Sequence, residues 1–128
     1  MIEEFNRVDR HAHDDERVRG ALAPLLESDE YGQVWQISSA DGAQGYCVIA
    51  WSYSLESGGR ECIVDEIFVT DRGRGLGARL LDEALRGARH AGVKVAFLET
   101  EAHNERVRSF YQRHGFTSED SIWMRRTL

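Results

Sequence analysis

Apolar positions along this chain follow two periods, and the switches between them outline its elements. In residues 14–28, "DDERVRGALAPLLES", Val18, Leu22, Leu25 and Leu26 stand at helical spacing. The opening acids Asp14, Asp15 and Glu16 suit a helix N-terminus. Pro24 is expected to bend or end that helix. Residues 2–10 have room for a shorter helix before it. "GQVWQIS" (32–38) alternates apolar with polar, "DG" (41–42) is a hairpin-type turn, and "GYCVIAWSYS" (45–54) reads as a second strand. "SGG" (57–59) turns the chain into "ECIVDEIFV" (61–69), a third. The period then changes to helical: Leu76, Leu80, Leu81, Ala84, Leu85 and Ala88 form one face, closed by the glycine of "HAG" (90–92). "VKVAFLET" (93–100) has the composition of a buried strand. "NERVRSFYQRHGF" (104–116) is a helix capped by Asn104 and ended by Gly115, with Phe116 placed to pack back. "SIWMRRTL" (121–128) reads as a last, edge-like strand. The order describes a mixed sheet with helices on its faces, in the α/β (α+β) class.

Composition changes this picture little. The 128 residues make one domain, 1–128, without repeat, linker or low-complexity segment. No apolar run approaches the roughly 20 residues that span a bilayer, so no membrane partner is expected. The polar N-terminus does not resemble a signal peptide, which makes the cytoplasm the expected location. The net charge of −6 argues against a nucleic-acid partner. Cys47 and Cys62 lack metal-ligand spacing. A hairpin turning near residues 57–59 sets them roughly 15–20 Å apart at about 3.4 Å per residue, beyond disulfide reach. Both read as small core hydrophobes rather than catalytic thiols. His11 and His13 lie among carboxylates in "DRHAHDDE", but a polar loop uses the same letters, and no metal is expected.

The local charge is more telling. Arg72, Arg74 and Arg79 cluster in an otherwise acidic chain, around Gly73, Gly75 and Gly77. A strand runs into this loop and a helix leaves it. The first N–H groups of a helix lack intrahelical partners and its dipole is positive there, so an anion is the natural occupant. Glycine allows close approach by main chain, and the spacing suits a pyrophosphate. A plain helix entry would use similar residues. Leu76-Gly77-Ala78 excludes the Gly-Lys-Ser/Thr of a P-loop, and Gly77 stands one place early for a dinucleotide fingerprint.

Arg72-Gly73-Arg74-Gly75-Leu76-Gly77 resembles the R/Q-x-x-G-x-G/A signature of the GNAT acetyltransferase superfamily. "DEIFV" and "AFLET" resemble its flanking strands, and "NERVRSFYQRHGF" its later Asn-plus-helix motif with "FY…GF". The resemblance covers roughly residues 31–128. It implies a mostly antiparallel mixed sheet with a central splay between two parallel strands. It also implies acetyl-coenzyme A as co-substrate and an amine acceptor, on a small molecule or a protein. Its diphosphate would lie on Arg72, Gly73, Arg74, Gly75, Leu76, Gly77 and Ala78, mainly through backbone N–H. Its pantetheine arm would pair with Ile67, Phe68 and Val69. Asn104 would contact the cofactor or serve only as a cap.

The implied chemistry needs a base, because an alkyl amine of pKa about 10.4 is mostly protonated at neutral pH. Asp65, four positions before Val69, is placed ahead of Glu66, whose side chain falls on the opposite face of a regular strand. A backbone N–H near Val69 would donate to the developing oxyanion. Tyr111 matches the family's general acid for the departing thiolate. A domain that kept the fold and cofactor only as a sensor would need none of Asp65, Glu66 and Tyr111. The pattern departs from the family at the start, where the first strand is missing before "MIEEFNRV". An uncovered edge there would favour a homodimer. Residues 9–31 would form the acceptor pocket, with Asp14 and Asp15 suited to a cationic amine.

Overall fold

The computed structural model describes residues 15–128. They belong to two units, the first ending at Leu98 and the second running Glu99–Leu128. The expected helix over 2–10, the stretch where the first strand is expected to be missing, His11, His13 and Asp14 lie outside the described residues.

The first unit contains α1 (Asp15–Glu27), β1 (Gly32–Ser39), β2 (Gly42–Ser54), β3 (Gly59–Val69), α2 (Leu76–His90) and β4 (Val95–Phe97). The strands form one sheet in the order β1-β2-β3-β4. β1, β2 and β3 are antiparallel neighbours, whereas β3 and β4 are parallel, so the sheet is mixed as the pattern implies. Both hairpins form where the turn residues predict them, through residues 40–41 and 55–58.

Alternation along β2 splits the core into two layers. Tyr46, Val48 and Phe68 are buried together on one face, with Leu25 of α1 and Val34 of β1 against them. Cys47, Ile49 and Cys62 are fully buried. Cys47 and Ile49 alternate with Tyr46 and Val48, so they point to the other face. α2 covers that second face, where Gly87 meets the indole of Trp35, the cross-strand partner of Cys47. Its buried stripe, Leu80, Leu81, Ala84 and Ala88, follows the expected period, and each buried leucine contributes about 1.5–3 kcal/mol.

α1 does not end at Pro24 but continues to Glu27. Proline forfeits only the bond its own N–H would make to Gly20. The next turn keeps its hydrogen bonding, with Ser28 N–H donating to Pro24 O at 3.3 Å, and Leu25 is anchored in the core. The strand expected over 93–100 is confined to Val95–Phe97, because β3 supplies partners only at Glu61, Cys62 and Ile63.

In the second unit, α3 (Glu105–Arg113) starts at Asn104, whose side-chain oxygen accepts from Val107 N–H at 3.2 Å. It ends in a Schellman motif, with Phe116 N–H bonded to Tyr111 O and Gly115 N–H to Gln112 O. The ring of Phe116 packs edge-on against Tyr111 at 5.7 Å, the expected return contact. α2 closes the same way, through Val93 to Ala88 and Gly92 to Arg89. The segment 121–128 is not the expected edge strand. It takes no strand partner among the described residues and is exposed throughout. Strand-like composition alone cannot supply the cross-strand hydrogen bonds that define a strand.

Candidate active site

β3 carries the candidate base, and its geometry departs from a regular strand where the acids lie. Val48 faces Glu66 and Ile49 faces Val64, so Asp65 is an extra residue with no partner on β2. Such a bulge locally breaks strict alternation. Glu66 is thereby placed opposite Val48, on the Tyr46–Val48–Phe68 face, while Asp65 is exposed. Tyr46 Oη donates to Glu66 Oε2 at 3.0 Å. Of the two acids, Glu66 is half-buried and held by a named partner, whereas Asp65 faces solvent. Tyr46 is absent from the sequence reading. Its position diagonal to Glu66 depends on the β2–β3 register, which no local pattern encodes.

Beyond the bulge, β3 loses one neighbour. Pairing to β4 stops at Ile63, so Val64 through Val69 have a strand partner only on the β2 side among the described residues. This is the implied splay. At its end, Thr70 N–H donates to Gln44 O on β2 at 2.8 Å. Successive N–H groups of a strand point to opposite edges, so those of Val69 and Ile67 turn toward the open side. Ile67 and Val69 thus offer main-chain groups to an extended ligand, and Phe68 directs its own toward β2.

The glycine loop then delivers a helix N-terminus of unusual composition. Gly75 is the N-cap residue in the left-handed conformation (φ 74°, ψ 9°), no side chain caps the helix, and no acid lies in its first turn. A side chain at Gly75 would meet nothing within 4 Å but would be strained by that φ. Arg74 is paired with Asp71 at 3.2 Å, both largely exposed, so this ion pair adds little stability. Arg72 and Arg79 are exposed beside the loop. The donor set (main-chain N–H of Leu76, Gly77 and Ala78, a left-handed entry, flanking arginines and no acid in the first helical turn) suits a diphosphate.

Asn104 and Tyr111 lie in the second unit. Asn104 Oδ1 is engaged as the α3 cap. Tyr111 is buried and edge-packed on Phe110 at 5.2 Å. Among the described residues no group of His, Cys, Asp and Glu could hold a metal, and no helix is long and apolar enough to cross a membrane. Cys47 and Cys62 are free and buried, and burial pushes their thiols up to about 12 and about 11, which suits packing rather than nucleophilic chemistry.

The comparisons agree with this architecture. Residues 2–116 match the model of the acetyltransferase (GNAT) family. An N-acetyltransferase of Bacillus subtilis (strain 168), YhfO, named as uncharacterized, is 30% identical over 119 residues, 91% of this chain and 78% of that protein. The integron cassette protein HFX_CASS3, from the mobile metagenome of Cole Harbour Salt Marsh, superimposes with a TM-score of 0.86 at 29% identity, covering 99% of this chain and 80% of that one. The aminoglycoside N-acetyltransferase AAC(6')-Iy, solved in complex with CoA, shares the fold at a TM-score of 0.78 and 17% identity, covering 91% of this chain and 79% of that one. Given the family match over most of its length, the splayed parallel pair and the glycine loop before α2, this chain belongs to the GNAT family of acetyltransferases.

Proposed function

We propose that this protein transfers an acetyl group from acetyl-coenzyme A to a primary amine, on a small molecule or a protein. The observation that carries the reading is the continuity of one strand. β3 bears a buttressed carboxylate, then an open main-chain edge, then an uncapped helix N-terminus free of acids. That a CoA complex exists for an aminoglycoside enzyme of this fold supports the acyl donor and favours a small-molecule acceptor.

Leu76, Gly77 and Ala78 would hold the diphosphate through their N–H groups, with Arg72 and Arg74 adding charge. Ile67 and Val69 would align the pantetheine arm along the open edge. Bound acetyl-coenzyme A supplies the acetyl group already activated as a thioester. Glu66 takes the proton that the amine must lose, directly or through water. Val69 N–H stabilises negative charge where the acetyl carbonyl would lie. Tyr111, assigned by the family motif, returns a proton to the departing thiolate.

Thiol release from acetyl-coenzyme A, measured with a panel of amines, tests this. Glu66→Gln should lower kcat/KM by about 10²–10⁴-fold, the range for a lost general base. Calorimetric affinity for coenzyme A should hold. Coenzyme A binding without thiol release for any amine would make the protein a binder and sink the reading.

A further inference from the structure

We propose that Tyr46 is a positioning residue for Glu66, fixing the carboxylate of β3 from the neighbouring strand so that it receives the amine proton. This rests on Glu66 acting as the base of the proposed transfer. Tyr46 Oη lies 3.0 Å from Glu66 Oε2, and the two residues are diagonal across the β2–β3 pair, since Tyr46 faces Phe68 and Glu66 faces Val48. The tyrosine has little freedom to move. It is 4% exposed, belongs to the cluster with Val48 and Phe68, and its ring lies 6.1 Å from that of Phe68. A hydroxyl so held orients the carboxylate far more strictly than a solvent-exposed partner would.

The bulge at Asp65 is what makes the contact possible. In a regular ladder, the residue after Val64 would face Val48, and that residue is the aspartate. The extra residue moves the longer glutamate into that place. The bulge therefore selects the carboxylate, and Tyr46 aims it.

A hydrogen bond donated to a carboxylate favours the ionised form, so the contact keeps the base ready at lower pH. Besides Glu66, β3 carries Arg60, Glu61, Cys62 and Asp65, with Glu61 bonded to Ser52 and Ser57. β1 has no acid or base in "GQVWQISS". α1, whose Leu25 packs into the same cluster, carries Asp15, Glu16, Arg17, Arg19 and Glu27.

The test uses Tyr46→Phe, Glu66→Gln and the double variant, assayed by thiol release across pH with a turned-over amine. Phenylalanine keeps the ring in the core, and coenzyme A affinity reports intact folding. Tyr46→Phe should lower kcat/KM about tenfold at neutral pH and move its acid limb up by about one unit, a tenfold change per unit. KM for acetyl-coenzyme A should stay within about twofold, because the cofactor contacts are elsewhere. On the Glu66→Gln background the tyrosine change should cost nothing further. An unshifted acid limb, or the same loss on both backgrounds, overturns the inference while leaving the base assignment intact. Parental turnover by Glu66→Gln overturns the base assignment itself, and the role of Tyr46 with it.

Discussion

The indole of Trp35 occupies the space that a side chain at residue 87 would need: a methyl group at Gly87 would collide with Trp35 Cζ2. This close approach seats α2 against the strand face that carries Cys47 and Ile49, and it is the reason a poor helix former stands in the middle of α2.

Gly87→Ala should therefore destabilise the protein although alanine is the better helix former. Overpacking costs about 1–3 kcal/mol and the propensity gain returns about 0.5–1 kcal/mol. A net loss near 1 kcal/mol is expected in urea denaturation. Trp35→Phe on the Gly87→Ala background should recover part of it, and an alanine variant as stable as the parent would contradict the packing.

The loop ahead of α2 responds differently. Gly75 holds a left-handed φ of 74° at the N-cap. Gly75→Val should cost about 1–2 kcal/mol of backbone strain, a fall in Tm of about 4–7 °C, and weaken coenzyme A binding by about tenfold or more. Asn tolerates this conformation, so Gly75→Asn should be milder in both respects. Calorimetric titration together with thermal melts separates the two effects.

Tyr111→Phe keeps the aromatic contacts to Phe110 and Phe116 and removes only the hydroxyl. A phenol is a weaker acid than a thiol by about 1.5 units, so the proton it offers a thiolate is only partly useful. kcat should fall by nearer to 10²-fold than 10⁴-fold. Steady-state kinetics with an unchanged kcat would remove Tyr111 from the chemistry.

The buried thiols predict an alkaline limit. Their ordinary value is 9.0, and in the fold Cys47 stands near 12 and Cys62 near 11, burial being the main cause of each. The raised values mean that unfolded chains lose these protons first as pH climbs. Stability from the neutral thiols is thus complete below about pH 9 and drains away as pH rises through 11 to 12. Thiolate absorbance should stay flat to about pH 10 in native protein and rise near pH 9 in urea. A native protein titrating near pH 9 would show that the cysteines are not buried.

Much of this protein was legible from short stretches of its chain. The stripe of Leu80, Leu81, Ala84 and Ala88, the caps around Asn104, Gly92 and Gly115, and the turns at residues 40–41 and 55–58 each depend on bonds spanning a few residues. The glycine loop belongs with them, because the need for a left-handed Gly75 is local. Tertiary structure decided the rest. Whether Asp65 or Glu66 turns toward Tyr46 depends on a bulge that exists only in the β2–β3 register. β4 is brief and residues 121–128 form no strand because a strand requires a neighbour, and neighbours come from elsewhere in the chain. Periodicity and capping are properties of a segment, while register and pairing belong to two segments at once, so which of the two acids meets Tyr46 could be read only after the strands had met.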